Sequence, residues 1–346
     1  MNQNESKKEV LIEFKHLTKK FGHFTAVNDL SLQIFQGEVL GFLGPNGAGK
    51  STAMKMMANL LNPTSGEVWV NNNHKLEKLT KYNQDYLLDN IGFLIENPAF
   101  YENNTPRQVL TLFAKLKGYP RNKIHDRVEE VVQMIGMGQW IDNKLGTFSK
   151  GMRQKIGIVS AVVHDPAIIV LDEPHTGLDP KARREVRDFL LKLKTLNKTV
   201  FLSSHLLYEV SEVADRIAII SHGILVACNS LDNLEEEAKR SVIDLEIIGW
   251  ENPGEAIIKL NETVGQFLSG PIYFNRDQKI FELQFDGSQE KQYEMLHKLI
   301  SAGIKVIEYS VPKAGLLEDL YLKYVSESDK TFKQYQKKAV KVESIL

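Results

Sequence analysis

The distribution of apolar and polar positions predicts a chain in which buried strands alternate with amphipathic helices. Four continuous apolar runs are typical of strands covered on both faces of a parallel sheet, at residues 39–43, 91–95, 167–171 and 199–202. Helical periodicity is present at residues 51–61, at 105–137 with a break at 118–120, and at 149–163. Strands and helices that alternate in this way favour an α/β fold with a mainly parallel sheet.

The first hundred residues also contain a different pattern. Residues 30–34 alternate between apolar and polar side chains, and further short strands are expected at 10–14 and 67–70. The segment 71–90 is polar without strong periodicity and is expected at the surface. A helical insert, at about residues 97–162, is expected to separate these elements from the last two apolar runs.

The last third of the chain predicts a second, smaller domain. It begins with an acidic linker at 234–237, after which strands are expected at 241–248, 271–274, 279–285 and 305–310, and helices at 254–267 and 289–302. This β-α-β-β-α-β order suggests a small α+β module of the ferredoxin-like kind. We therefore expect a main domain at residues 1–238, an accessory domain at 239–325 and a basic tail at 326–346.

Composition restricts the class of protein further. The 346 residues exceed the size at which single cores usually stop growing, which favours two domains. A formal net charge of −1 argues against nucleic acid as a partner, and the single cysteine, Cys228, suits a reducing compartment. No apolar run reaches the roughly 20 residues that span a bilayer, and Met1–Glu9 lacks the apolar core of a signal peptide. A soluble, cytoplasmic protein is the resulting expectation.

A glycine-rich segment between the first buried strand and the first helix carries the strongest chemical signal. It matches the pattern G-x-x-x-x-G-K-[ST] and consists of Gly44, Pro45, Asn46, Gly47, Ala48, Gly49, Lys50, Ser51 and Thr52. Glycines let backbone N–H groups and the following helix N-terminus approach phosphate oxygens. In such a loop Lys50 reaches the β- and γ-phosphates, and the Ser51 hydroxyl ligates Mg²⁺. The segment predicts that the chain binds a nucleoside triphosphate.

Polar residues follow the other buried runs, at the sheet edge where ligands bind in α/β folds. Asp172 is suited to hold Mg²⁺ through water, and Glu173 is placed to polarise an attacking water. Two interpretations stay open for His205, a sensor of the γ-phosphate or a satisfied loop residue. Glu96 is either a ligand at this edge or a solvated loop charge.

Two further positions have both a functional and a structural interpretation. Phe21 lies upstream of the glycine-rich segment and either stacks on a nucleotide base or packs in the core. Ser149 is a good N-cap for the helix that follows it. The N-terminus of that helix is either a second anion site or a purely structural feature.

The order of these motifs over residues 10–230 resembles that in the nucleotide-binding subunits of ABC transporters. The resemblance comprises an A-loop at Phe21, Walker A at Gly44–Thr52, a Q-loop at Glu96, a signature at Ser149–Gln154, Walker B at Ile168–Glu173, a D-loop at Gly177–Asp179 and an H-loop at His205. It implies a P-loop cassette with a RecA-like core, an antiparallel β part and a helical insert, with ATP and Mg²⁺ as ligands. The implied catalytic residues are Glu173, His205 and Lys50, the implied metal ligands are Ser51, Glu96 and Asp172, and the further implied ATP contacts are Phe21, Ser149, Gly151 and Asp179.

Two departures from the usual family pattern narrow the resemblance. The signature usually reads Leu-Ser-Gly-Gly-Gln, whereas this chain has Phe-Ser-Lys-Gly-Met at 148–152, and Glu96 replaces the usual glutamine. Both features look like the drug-resistance and bacitracin-export branch, whose ATPase serves a separately encoded membrane permease. This branch implies two ATPase subunits, identical or paralogous, that dock head to tail at the inner face of the membrane.

The sequence disfavours several rival functions. Residues 172–175 also spell the DExH box of helicases, but only about half of the usual domain size remains after Ser230 for a second motor domain. The Asn-Lys-x-Asp motif of a GTPase is absent from the sequence. An ABC ATPase of translation or DNA repair is the remaining alternative. Such translation factors resemble two cassettes in one chain, and such repair clamps carry a long coiled coil within the cassette. This sequence contains neither a second cassette nor a long coiled coil.

Overall fold

The structure is a computed structural model that describes residues 8–310, except 97, 240–241, 251, 277–278 and 286–287, together with 317–318, 320–326 and 328. Within these residues the chain forms two compact units. The first comprises the described residues up to Asn229 together with those from Val325 onward, and the second spans Ser230–Tyr324. The sequence predicts this boundary at residue 238.

The strands and helices are given in chain order. Up to the end of the first unit they are β1 (Val10–Phe21), β2 (Phe24–Phe35), β3 (Val39–Leu43), α1 (Lys50–Met57), β4 (Ser65–Asn72), β5 (Lys75–Lys78), α2 (Gln84–Leu87), β6 (Ile91–Leu94), α3 (Pro106–Leu116), α4 (Ile124–Met134), α5 (Lys150–Val162), β7 (Ile168–Leu171), α6 (Pro180–Thr195), β8 (Thr199–Ser204), α7 (Leu207–Ser211), β9 (Arg216–Ser221) and β10 (Ile224–Ser230). In the second unit they are α8 (Leu231–Lys239), β11 (Val242–Ile248), α9 (Pro253–Val264), β12 (Leu268–Asn275), β13 (Ile280–Phe285), α10 (Gln289–Ser301) and β14 (Lys305–Ser310).

The four apolar runs lie in a six-stranded sheet with the order β10-β9-β3-β8-β7-β6. The neighbours from β9 to β6 are parallel, and every residue of β3, β7 and β8 is buried, which explains the continuous apolar runs. Parallel strands end at the same edge of a sheet. The same edge of the sheet therefore carries the glycine-rich segment, Glu96, Asp172, Glu173 and His205.

A four-stranded antiparallel sheet with the order β2-β1-β4-β5 makes up the second layer of the first unit. Its strand β1 continues to Phe21, beyond the predicted 10–14, because bulges keep it paired to β2. The segment 71–90, predicted at the surface without strong periodicity, forms β5 and α2. Only short elements form there, anchored by the buried Leu79 and Leu87, and so few anchors produce no periodic signal.

The predicted helical stretch 105–137 is divided at its predicted break, residues 118–120, into α3 and α4. The hydroxyl of Thr105 accepts from the Gln108 N–H, the Gln108 side chain accepts in return from the Thr105 N–H, and Pro106 occupies the first turn. Gly118, with φ of +70°, ends the first helix, and α4 begins after Pro120. These helices and α5 form the predicted helical insert.

The second unit contains a sheet with the order β12-β13-β11-β14, in which the described pairs are antiparallel. The elements from β11 to β14 follow the predicted β-α-β-β-α-β order. Helix α8 occupies the predicted acidic linker, because Leu234 and Ala238 bury an apolar stripe at helical spacing. The predicted basic tail lies almost entirely outside the described residues. In the part of the chain that the structure describes, no helix combines the length and apolarity needed to cross a bilayer.

Candidate nucleotide-binding and hydrolysis site

The glycine-rich segment forms a tight loop that leads directly into α1. Gly49, with φ of +106°, is the N-cap of the helix, and a Cβ there would lie 2.4 Å from the carbonyl oxygen of Ala26. At Gly44 a Cβ would lie 2.2 Å from the carbonyl oxygen of Ile220. Both positions therefore require glycine. The loop presents the free N–H groups of the α1 N-terminus, a favourable site for phosphate.

A cavity of about 730 Å³ opens in front of this loop. This volume falls within the usual range for small-molecule sites. The predicted residues that line it are Asn46, Gly47, Ala48, Gly49, Lys50, Ser51, Thr52, Glu96, Asp172, Glu173 and His205. Gln154, the last residue of the predicted signature, also lines the cavity, and sequence reasoning missed the remaining lining residues, which are Phe24, Ala26 and Thr176. The predicted residues Phe21, Gly44, Pro45, Ser149, Gly151 and Asp179 are not part of the lining.

Lys50 places a buried positive charge at the cavity. Its Nζ donates to the carbonyl oxygens of Gly44 at 2.7 Å and Pro45 at 3.2 Å, and lies 3.3 Å from Glu173 Oε1. The side chain is only 5% exposed. A buried ammonium needs anionic partners, so this lysine is prepared to exchange the Glu173 carboxylate for a phosphate.

Glu173 lies at the centre of the polar contacts. His205 Nδ1 lies 2.8 Å from Glu173 Oε2, and the Thr176 hydroxyl donates to the same oxygen at 3.2 Å. The backbone of Glu173 is left-handed, with φ of +49°, and its N–H donates to the Ser203 hydroxyl at 2.9 Å. A non-glycine residue in this region costs roughly 1–3 kcal/mol, a strain found often at functional sites. The strained turn aims the carboxylate into the cavity.

Asp172 is the buried member of the carboxylate pair after β7. Its Oδ1 accepts from the Ser203 hydroxyl at 2.6 Å, and the side chain is almost completely buried. Among the residues that the structure describes, no cation forms an ion pair with Asp172. A buried carboxylate without a counter-charge is unfavourable unless a cation joins it.

Glu96 follows β6 and also has a left-handed backbone, with φ of +71°. Its carboxylate pairs with the Lys55 ammonium on α1 and lines the cavity. The sequence predicts Glu96 as a metal ligand and does not predict its ion pair with a lysine. Lys55 was outside that prediction because it lies one helical turn beyond the P-loop motif.

The aromatic residue at the cavity is Phe24, whereas the sequence predicts Phe21 for this position. A two-residue turn joins β1 to β2, so that Phe21 and Phe24 are direct cross-strand partners. Phe24 borders the cavity, while the Phe21 ring lies under the Lys19 ammonium at 5.0 Å. The register of this hairpin decides which aromatic faces the cavity, and no sequence motif records it.

The signature and D-loop residues have structural contacts within their own chain. Ser149 caps α5, since its hydroxyl accepts from the Met152 N–H at 3.2 Å, and Asp179 caps α6 by accepting from the Ala182 N–H at 2.7 Å. A Cβ on Gly151 would lie 3.3 Å from a methyl carbon of Leu178. None of Ser149, Gly151 and Asp179 lines the cavity that holds Lys50.

Known proteins resemble this chain in sequence and in fold. Residues 27–176 match the ABC transporter family. An uncharacterized ABC transporter ATP-binding protein, YhcH of Bacillus subtilis (strain 168), is 33% identical over 92% of this chain and 97% of its own length. The bacitracin transport ATP-binding protein BcrA of Bacillus licheniformis is 31% identical over 91% of this chain and 97% of its own length. A dimeric ATP-binding cassette in a post-hydrolysis state, bound to ADP and Pi, is 26% identical with a TM-score of 0.57, over 64% of this chain and 99% of that structure.

The parallel sheet, its phosphate loop and the carboxylates at the neighbouring strand end define a P-loop NTPase. The chain belongs to the ATP-binding proteins of ABC transporters. It is an ATPase, and its relatives support a role in transport rather than in translation or DNA repair. The resemblance to the bacitracin-export branch, inferred from the signature and Glu96, is confirmed by relatives named as bacitracin transport proteins.

Proposed function

We propose that this chain powers an exporter whose membrane permease is a separate polypeptide, and that its substrates are drugs, peptide antibiotics or lipid-like molecules. The relationship to bacitracin transport ATP-binding proteins, which in one case extends over 91% of this chain, supports the export role. The observation that carries the ATPase role is the convergence of Lys50, Glu173 and His205 on one cavity. The chain would act from the cytoplasmic face of the membrane, held there by the permease.

Within the site, each residue has a role that follows from its contacts. Lys50 would leave Glu173 to bind the β- and γ-phosphates of ATP, which the free N–H groups at the N-terminus of α1 would also bind. Glu173, released from the lysine, would act as general base for the attacking water. His205 would hold the base and contact the γ-phosphate. Phe24, beside the predicted Phe21, would stack on the nucleotide base.

The donor set of the cavity fits Mg²⁺. The Ser51 hydroxyl and the Asp172 and Glu96 carboxylates are hard oxygen ligands, and all three residues line the same cavity. The buried Asp172 carboxylate, without an ion-pair partner in the described part of the chain, supports this assignment best. A bound Mg²⁺ neutralises charge on the phosphates. Asp172, held by Ser203, would fix the metal at the phosphate end of the cavity.

The ATP site is proposed to be shared between two subunits, identical or paralogous. Ser149, Gly151 and Asp179 lie outside the cavity of their own chain, although the family resemblance implies that they contact ATP. A head-to-tail arrangement resolves this difference, because it brings Ser149 of one subunit to the ATP bound by Lys50 of the other. The exposed N-terminus of α5 would then meet the γ-phosphate.

Affinity purification of the full-length chain from membranes tests the transport assignment. The expected result is that a polytopic membrane protein co-purifies and that it raises or regulates ATPase activity in liposomes. A matched preparation of the Lys50→Ala variant should retain the membrane protein and lose the activity. Co-purification of ribosomes or DNA instead of a permease would contradict the proposal.

A Mg²⁺ titration of ATPase activity tests the proposed metal role of Glu96. Glu96→Gln replaces a charged oxygen ligand by an amide, so the Mg²⁺ concentration for half-maximal activity should rise by roughly two- to fivefold, a change of the size of one exposed ionic contact. Lys55→Met should shift the concentration in the opposite direction, because it frees the Glu96 carboxylate. ATP binding itself should persist in both variants.

Glu102→Gln is the matched control for this titration, since Glu102 is an exposed acidic residue of the same region. Its curve should coincide with that of the unchanged protein. If the curves of Glu96→Gln and Lys55→Met also coincide with it, Glu96 lies out of reach of the metal and is only a loop charge.

A further inference from the structure

Glu209, on α7, is a buried acidic residue that contacts the turn carrying His205. Its side chain is only 6% exposed. The Ser204 hydroxyl donates to Glu209 Oε2 at 2.7 Å and accepts from the Leu206 N–H at 3.0 Å. One hydroxyl therefore connects Glu209 to the residues on both sides of His205.

The charge of Glu209 is poorly compensated by its surroundings. Arg183 Nε lies 3.9 Å from Oε1 and His175 Nδ1 lies 3.7 Å from Oε2, both beyond hydrogen-bond distance, and the Tyr208 hydroxyl lies 3.4 Å from Oε1. Burial lowers the pKa of His175, although the nearby Glu209 opposes this. A buried carboxylate with such distant partners is costly.

Ser204 links Glu209 to the reacting part of the site. The carbonyl oxygen of Ser204 accepts a hydrogen bond of 3.2 Å from the N–H of Gly44, which is the first residue of the phosphate loop. On the next residue, His205 Nδ1 lies 2.8 Å from the Glu173 carboxylate. A displacement of Ser204 would therefore change the position of His205 relative to both the phosphate loop and Glu173.

We propose that Glu209 is a positioning residue for ATP hydrolysis, which fixes the turn around His205 through the Ser204 hydroxyl. The inference rests on the proposed role of His205 beside Glu173. Glu209 does not line the cavity, so its loss should affect turnover more than ATP binding. Without the carboxylate, the Ser204 hydroxyl loses its acceptor and His205 samples orientations that no longer hold the base.

Steady-state kinetics of the full-length chain test the proposal. Glu209→Ala and Ser204→Ala, which break the same hydrogen bond from opposite ends, should each lower kcat by about tenfold, while KM stays within about twofold. Glu209→Gln keeps an oxygen acceptor for Ser204 and should restore most of the turnover. Glu212→Gln, an exposed acidic residue at the end of the same helix, is the matched control and should leave kcat unchanged.

A double-variant comparison separates positioning from a general structural effect. If Glu209 acts through His205, adding Glu209→Ala to His205→Ala should lower kcat no further than His205→Ala alone. Multiplied losses, or an unchanged kcat in Glu209→Ala, would overturn the proposal. Full turnover in His205→Ala alone would instead remove the proposed role of His205, and the inference with it. Should thermal unfolding show that Glu209→Ala is not folded, Ser204→Ala carries the same comparison.

Discussion

Glu173→Gln should bind ATP, turn it over roughly 10²–10⁴-fold more slowly and accumulate as an ATP-bound dimer. Glutamine preserves the size of the side chain and can still contact His205 and Thr176, which hold the carboxylate at 2.8 and 3.2 Å. It cannot accept the proton of the attacking water. It also removes the anion beside the buried Lys50, so the phosphates of ATP become the favoured partner of that ammonium.

Three measurements separate the steps for Glu173→Gln. Phosphate release gives turnover, a fluorescent ATP analogue gives binding, and size-exclusion chromatography with ATP gives the oligomeric state. Glu129→Gln, a partly exposed acidic residue paired with Arg107 in the helical insert, is the control and should behave as the unchanged protein. If Glu173→Gln turns over ATP at the normal rate, another group is the general base.

Much of the catalytic edge can be predicted from sequence because parallel strands give unambiguous signals. A strand buried on both faces appears as a continuous apolar run, and its end marks the ligand edge of the sheet. This logic placed Lys50, Asp172, Glu173 and His205 at one site, and the structure shows all four lining one cavity. Residues at the ends of parallel strands can therefore be predicted to lie together without any knowledge of side-chain packing.

The features that sequence reasoning missed depend on backbone conformation and on contacts between distant segments. The left-handed turns at Glu173 and Glu96 leave no compositional trace, because glycine or asparagine would be the expected residue at such angles. Likewise, hairpin register puts Phe24 at the cavity. The hydrogen bond between Ser204 and Glu209 joins the end of β8 to helix α7. Sequence periodicity describes one element at a time and therefore does not predict a contact between two elements.

A substitution at Ser149 tests whether two chains share each ATP site. The Ser149 hydroxyl caps α5, and a suitable replacement can keep this cap while it removes the proposed contact with ATP. Ser149→Asp retains an oxygen that can accept from the Met152 N–H, and aspartate caps helices as well as serine does. It also places a negative charge where the γ-phosphate of the facing subunit's ATP should lie. The expected result is a folded protein that binds ATP at Lys50 but neither dimerises with ATP nor hydrolyses it.

Mixing this variant with Lys50→Ala should restore activity that neither protein has alone. In a head-to-tail dimer of one subunit of each kind, one ATP site combines an intact Lys50 with an intact Ser149, and the other site carries both defects. With random pairing at equal amounts, half of the dimers contain both subunits, so about a quarter of normal turnover should return if the sites act independently. ATP-dependent cross-linking of the two differently tagged chains detects the same dimer even if both sites must act together. Full activity in a strictly monomeric preparation, or mixed subunits that show neither cross-linking nor turnover, would contradict a shared site, because Ser149 would then have no phosphate to contact.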